Sequence, residues 1–377
     1  MKTNAGRFSL NCTALKLWPS NHKQAWEKSL KAPGLFERPS SPAKWRASSI
    51  IKTRKGYGIW LDWLASASGY SASEINKSRC EDLVTQETVI AYVDYLERFC
   101  SSMTVYNRVQ ELYDAVVAMA SHLPKAHWVW LKAAWKNLRA RATPSRNKLP
   151  RLKEADQLEA LGLSLMQQAE TAPERNYRQK GGLTALQRAL MFRDGLMIAL
   201  LIRRPFRIKN FYALSMGNNF LVHETGAVFS FKASDMKGKR SVEVPFPEGL
   251  LPYLQRYIRH YREILLTTSA KVKGKTTIDA LWVSRDGTAL TEGPLRVAIY
   301  KRTKAAFGAS MPPHWFRDSA VTTLVRHSPG AARITGPILS HTTTDIAQKH
   351  YNQAEMIYAA RRHYRIISDM MAEPDNA

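Results

Sequence analysis

From Ser41 to Arg141 apolar residues recur at three- and four-residue intervals: Trp60, Trp63 and Leu64; Val89, Tyr92, Val93 and Leu96; Val105, Val109, Leu112, Val116 and Met119; Trp128, Leu131, Trp135 and Leu138. Such spacing lines one face of a helix, so four or five helices are predicted, the second opening at a Thr85 N-cap. GYSASEINKSRC and SHLPKAH, between these runs, read as loops. ATPSRNKLPRL, residues 142–152, holds prolines and basic residues without an acid, the composition of an exposed linker, and a domain boundary is placed there.

Beyond the boundary, helical segments are predicted at about 153–169 and 184–203, and then the period changes. AVFSFK (Ala227 to Lys232) and SVEVPF (Ser241 to Phe246) read as strands flanking a basic turn, a β-hairpin set into helices. Leu250 to Leu266 is patterned as an amphipathic helix and LWVS, 281–284, as a short strand. The remainder to about residue 372 reads as helices broken near Ser328-Pro329-Gly330 and Gly336-Pro337. The expected fold is mainly α with a small β-hairpin or sheet (α+β). It is divided into an N-terminal extension (1–40), a helical domain (41–145), a linker (146–152) and a second domain (153–377).

Composition narrows the class of partner. The chain has 377 residues, 56 Lys plus Arg against 31 Asp plus Glu, a formal charge of +25. The surplus is +12 before residue 150 and +13 after it, so both domains are expected to face one polyanion. A basic tail on a neutral enzyme would concentrate it. With 45% apolar residues, 10% of all residues aromatic, the chain is rich enough for packed cores, which excludes wholesale disorder. Cys12, Cys80 and Cys100 form neither an even disulfide set nor a CxxC pair, and a reducing cytosol is the default expectation. The N-terminus lacks a secretory apolar run, and the longest apolar stretch, Gly195 to Ile202, is flanked by Arg193, Asp194, Arg203 and Arg204. The expectation is a soluble cytoplasmic protein with no membrane partner.

Nucleotide-binding GxxxxGK[ST] and GxGxxG loops, HExxH and zinc-spaced Cys/His sets are absent, so no cofactor and no metal are expected. Chemistry on a phosphate would then rest on side-chain cations. The second half carries an ordered series of these: Arg207 in RRPFRIKNFYAL, Lys237 in the hairpin turn, His314 and Arg317 in PPHWFRDSA, and His341 in LSHTTTD, followed by Tyr351 in QKHYN.

In order and spacing the series resembles the tyrosine recombinase (phage integrase) family. That family has an Arg in a motif like LRxxELLxL, a Lys in a hairpin before a VP strand, HxxR opening a helix, and LGH followed by the tyrosine nucleophile. The resemblance spans roughly residues 150–365; the helical domain before it matches the family's core-binding, DNA-binding domain in position and character. It implies a site-specific recombinase (integrase) of a mobile genetic element. Such an enzyme cuts and rejoins DNA through a 3′-phosphotyrosine intermediate, without metal or ATP. Tyr351 would be the nucleophile, Arg207, Lys237, His314, Arg317 and His341 the remaining catalytic residues. The implied partners are double-stranded DNA with an inverted-repeat core site, further copies of the chain in a DNA-bound homotetramer, and an accessory directionality factor. The implied location is at the nucleoid. The tail after Tyr351, with Met356, Ile357, Ala360, Tyr364, Ile367 and Met371 at helical spacing, would dock on a neighbouring protomer.

Blander readings stand beside these. Arg207 lies among Arg203, Arg204 and Lys209 and has a second reading as a solvated helix-end charge; the functional reading is favoured because Ile208, Phe211 and Leu214 would form an inward face that holds the guanidinium in position. Lys237 has Lys232 and Lys239 nearby, His341 sits beside a helix N-cap at Thr342 to Thr344, and Tyr351 competes with Tyr358 and Tyr364. The chain departs from the family pattern at Asn210, where an acid is usual, at Ser340, where a glycine is usual, and in a Tyr351 interval one residue longer than the commonest form. A catalytically inactive DNA-binding relative, a type IB topoisomerase and a telomere resolvase are the alternatives.

Overall fold

Short hydroxyl side chains set several of the helix starts. The computed structural model describes residues 10–31, 42, 45–143, 151–175, 181–223, 225–234, 241–267 and 278–327. The chain divides into two compact units, Met1–Asn147 and Lys148–Ala377.

The first unit holds α1 (Ser20–Leu30), α2 (Ala47–Ala67), α3 (Ala72–Lys77), α4 (Gln86–Glu97), α5 (Ser102–Met119) and α6 (Val129–Arg141). Thr85 caps α4 as expected, its hydroxyl accepting from the Thr88 N–H at 3.2 Å, and Ser101 does the same for α5 from Thr104. α3 lies within GYSASEINKSRC, which reads as a loop from sequence. A reciprocal Ser71–Glu74 capping box starts it, and Ile75 pins it to the core. SHLPKAH likewise runs into a 3-10 turn, Lys125–Trp128.

Trp60 and Tyr92 are fully buried and meet edge to face at 4.9 Å, with Trp63 5.0 Å from the same tyrosine. α2 and α5 approach closely at Gly56, where a Cβ would lie 2.3 Å from that of Glu111. The buried Glu111 carboxylate is held by Arg108 at 2.8 Å and Lys52 at 3.6 Å. Residues 10–31, within the expected N-terminal extension, are packed into this unit. Trp18 and Trp26 are buried, and Trp18 lies 4.9 Å from the Tyr57 ring. The His22 ring bridges the Ser78 carbonyl and the Tyr57 hydroxyl at 3.0 Å each.

In the second unit, α7 (Ala155–Thr171) and α8 (Ala185–Arg203) coincide with the predicted helical segments. They cross backbone to backbone, because a Cβ on Gly195 would stand 2.6 Å from the Gly162 carbonyl oxygen and one on Gly162 2.7 Å from that of Gly195. α9 (Ile208–Tyr212) follows, then an antiparallel sheet in the order β1 (Phe220–Val222), β2 (Ala227–Phe231), β3 (Val242–Pro245). β2 and β3 are the predicted hairpin, in a register that sets Phe229 opposite Val244. β1, paired to β2 through Phe220 and Phe229, is an addition to it. Ala227, Phe229 and Phe231 alternate inward, as strand geometry requires.

The predicted amphipathic helix is continuous, as α10 (Leu251–Arg256), a π turn (Tyr257–Tyr261) and α11 (Arg262–Thr267). The predicted strand LWVS is instead buried, bent chain with a single isolated bridge, Val283 to Ala289, and another just before it, Ser215 to Ala280. It stays out of the sheet because Trp282 turns into the core, stacking on Phe211 at 5.2 Å and donating its indole N–H to the Phe211 carbonyl at 3.0 Å. α12 (Glu292–Phe307) ends at Gly308, whose φ of 72° is the left-handed conformation of a C-terminal glycine, and α13 (Trp315–His327) closes the described chain. No helix among the described residues is long and apolar enough to cross a membrane.

Candidate active site

Pro205 breaks the path of the chain at the end of α8 and forces a turn, since proline cannot continue a helix and restricts the residue before it. Arg204 leaves the helix with φ −132° and ψ 84°. Its guanidinium donates to the Pro245 carbonyl of β3 at 3.2 Å, and burial beside Arg203 holds its pKa below the ordinary value. Phe206 then packs edge-on against Phe229 at 4.8 Å and Phe231 at 5.2 Å. The turn is thereby fastened to β2 and β3, the two strands that flank Lys237. Arg207 is the N-cap residue of α9, and its carbonyl accepts from the Asn210 and Phe211 N–H groups at 2.8 and 3.0 Å. Phe211 and Leu214 are fully buried and Ile208 packs against the same core, the inward face that the pattern implies; Arg207 itself is half-buried above it.

The second cationic element is built from α12 and α13. The buried Thr303 hydroxyl accepts from the Met311 N–H at 3.0 Å, which fixes the start of the Met311-Pro312-Pro313 run. Turn bonds from Trp315 to the Pro312 carbonyl and from Phe316 to that of Pro313 carry the chain into α13. Phe316 is fully buried and Val321 nearly so, which orients the helix. His314 is exposed, its ring edge-on to Trp315 at 6.3 Å. Arg317 is half-buried and donates through Nη1 to the Pro205 carbonyl, two residues from Arg207.

Electrostatics report the same juxtaposition. Burial, with the charge of Arg207 next, pushes the Arg317 guanidinium down from 12.5 to about 10, and Asp318 opposes the fall. At neutral pH it remains a cation, held in a poorly solvated place beside a like charge. A phosphate relieves both penalties at once, offering acceptors to a planar donor and negative charge to two positive groups.

Arg207 and Arg317, 110 positions apart, are therefore brought into one site, with His314 at the opening of the same helix. Lys237, His341, Tyr351 and the tail lie outside the described residues. Neither the Pro205 carbonyl nor the Arg204 tether is evident from sequence, since a backbone acceptor has no residue signature. The Arg-Pro dipeptide marks only the turn itself. Among the described residues no group of three or more His, Cys, Asp and Glu is placed to hold a metal ion.

Residues 182–356 match the Phage integrase family. Two solved structures share the fold over 92% of this chain and 95% of theirs. One is XerH site-specific recombinase bound to difH substrate in a pre-cleavage complex, with a TM-score of 0.54 at 13% identity. The other is XerH bound to palindromic difH substrate in a post-cleavage complex, with a TM-score of 0.55 at 14% identity. No curated protein matches the chain.

Proposed function

The chain carries a tyrosine recombinase domain of the phage integrase family over residues 182–356, and from that premise we propose that it is a site-specific DNA recombinase working through a 3′-phosphotyrosine intermediate. The observation that carries the reading is the juxtaposition of Arg207 with a half-buried Arg317, which donates to the Pro205 carbonyl two residues before Arg207 and feels its charge.

A phosphodiester repels a nucleophile by its own charge, and a free phenol, with a pKa near 10, is a poor nucleophile at neutral pH. Arg207 and Arg317 bind the non-bridging oxygens and stabilise the charge that grows in the pentacoordinate transition state. The Tyr351 oxygen bonds to phosphorus while the bond to the 5′ oxygen breaks. His314 and His341 contribute donors and assist in taking the phenolic proton, and Lys237 protonates the departing 5′ oxygen. The reverse step, with a 5′ hydroxyl attacking the phosphotyrosine, rejoins the strand without an external energy source. The DNA partner is a duplex with inverted repeats, bound by four copies of the chain, with a directionality factor as accessory; the region before residue 145 serves as the core-binding domain. Lys237 lies in sequence between β2 and β3, the strands that Arg204 and Phe206 fasten to the turn before Arg207, which supports assigning it to the same site.

The test is recovery of covalent adducts from a library of randomised duplexes nicked close to the break, with EDTA present throughout. The expected result is a DNA 3′ phosphate joined to protein on a narrow set of inverted-repeat sites. DNA binding without any adduct would leave the inactive DNA-binding relative; adducts on every sequence, with relaxation of supercoils, would point to a topoisomerase.

A further inference from the structure

The N-terminal turn of α7 is satisfied in an unusual way. In α3, α4, α5 and α8 the cap is supplied locally, by Ser71, Thr85, Ser101 and Thr184. α7 also has a local capping box, between Glu154 and Gln157, but its Ala155 N–H donates in addition to the Thr323 hydroxyl of α13, 168 positions away, at 2.9 Å. Thr323 in turn donates to Glu154 Oε2 at 2.9 Å, and Arg326 pairs with the other carboxylate oxygen. Three hydrogen bonds thus join the first residues of α7 to the third and fourth turns of α13.

α13 is also the helix that presents Arg317. Its start is fixed by Phe316 and, through the turn before it, by the Thr303–Met311 bond. Thr323 lies six residues beyond Arg317, about 9 Å along the axis. A helix held at one point can tilt; held at both ends it cannot, and Arg317 must meet a phosphate oxygen while its Nη1 stays on the Pro205 carbonyl. We propose that Glu154 is a positioning residue for strand cleavage. With Thr323 and Arg326 it sets the orientation of α13, and so the place at which Arg317 meets the scissile phosphate. The inference rests on the recombinase reading above.

Full-length Glu154→Gln, Thr323→Val, Thr323→Ser and the Glu154→Gln/Thr323→Val double variant decide it. The probes are a nicked duplex carrying a site selected with the wild type, and the same duplex with a neutral methylphosphonate at the scissile position, which removes the charge that Arg317 answers. Misplacing a catalytic group by a fraction of an ångström costs roughly tenfold or more. Glu154→Gln should therefore lower adduct formation at saturating phosphodiester about tenfold, with affinity changed less than about twofold and a much smaller loss on the methylphosphonate. Thr323→Ser, which keeps both hydrogen bonds, should match the wild type, and the double variant should be no worse than the poorer single one. Equal losses on the two duplexes, a loss confined to affinity, additive singles, or Thr323→Ser as impaired as Thr323→Val would each overturn the positioning role. A wild type that forms no adduct on any duplex would instead overturn the recombinase reading, and this inference with it.

Discussion

Replacing Arg317 by lysine keeps the charge and removes the geometry. The guanidinium spends one N–H on the Pro205 carbonyl and retains others for a phosphate. An ammonium drawn to the same carbonyl has no second planar edge to offer. Hydrogen bonds between charged partners contribute about 1.5–3 kcal/mol each, so losing one two-pronged contact in the transition state costs about 3 kcal/mol, roughly two orders of magnitude in cleavage. Affinity should change little, because that contact is one among many to the DNA backbone. A second signature follows from the site itself. The burial and the neighbouring Arg207 that bring the guanidinium from 12.5 to about 10 would also lower the pKa of a lysine there, which starts from a lower ordinary value. The cation is the working form and is present below its pKa, so the ratio of variant to wild-type cleavage should fall as pH rises from about 7 to about 9. The assay is adduct formation on a nicked duplex between pH 7 and 9, with binding measured separately. Near-wild-type cleavage, or a ratio independent of pH, would refute the reasoning.

Lys237→Ala should lose cleavage of an ordinary phosphodiester and regain it on DNA with a bridging sulfur at the 5′ position, since a thiolate leaves without a proton; no recovery would remove the general-acid role. Gly195→Ala would set a methyl group 2.6 Å from the Gly162 carbonyl oxygen and should destabilise the second unit by about 2 kcal/mol, read as a lower calorimetric midpoint; an unchanged midpoint would contradict the close α7–α8 crossing. With +25 spread over both halves of the chain, the DNA association constant should fall steeply between 50 and 200 mM salt, and a flat dependence would speak against binding through phosphates.

The parts of the fold legible from sequence are those whose pattern repeats often enough to outweigh accident. α8 and the β2–β3 pair announce themselves through long or strictly alternating apolar positions. β1 is three residues long, too short to display a period, and is formed because Phe229 offers it a partner. α3 hides in a polar stretch, although its Ser71–Glu74 spacing is the signature of a capping box. LWVS misleads because a continuous apolar run fits a buried strand and a buried loop equally. Trp18 and Trp26 belong to a core whose other half, around Tyr57, is some 30 to 40 positions away. The same distance effect governs the site. Arg207 and Arg317 each sit on a readable local motif, yet their meeting depends on how α9 and α13 pack, which only the family resemblance anticipates. The Pro205 acceptor and the Glu154–Thr323 bond lie beyond both kinds of reading, because each joins residues more than a hundred positions apart.

The central claim is that Tyr351 becomes bonded to a DNA 3′ phosphate, and the most direct measurement is peptide mapping of the trapped adduct. A nicked suicide duplex incubated with the wild type should yield one modified peptide, carrying the nucleotide on Tyr351. Tyr358→Phe should still form it, and Tyr351→Phe should bind the duplex with unchanged affinity and form none. A modified peptide containing Tyr358 or Tyr364 instead, or an adduct that persists in Tyr351→Phe, would contradict the account.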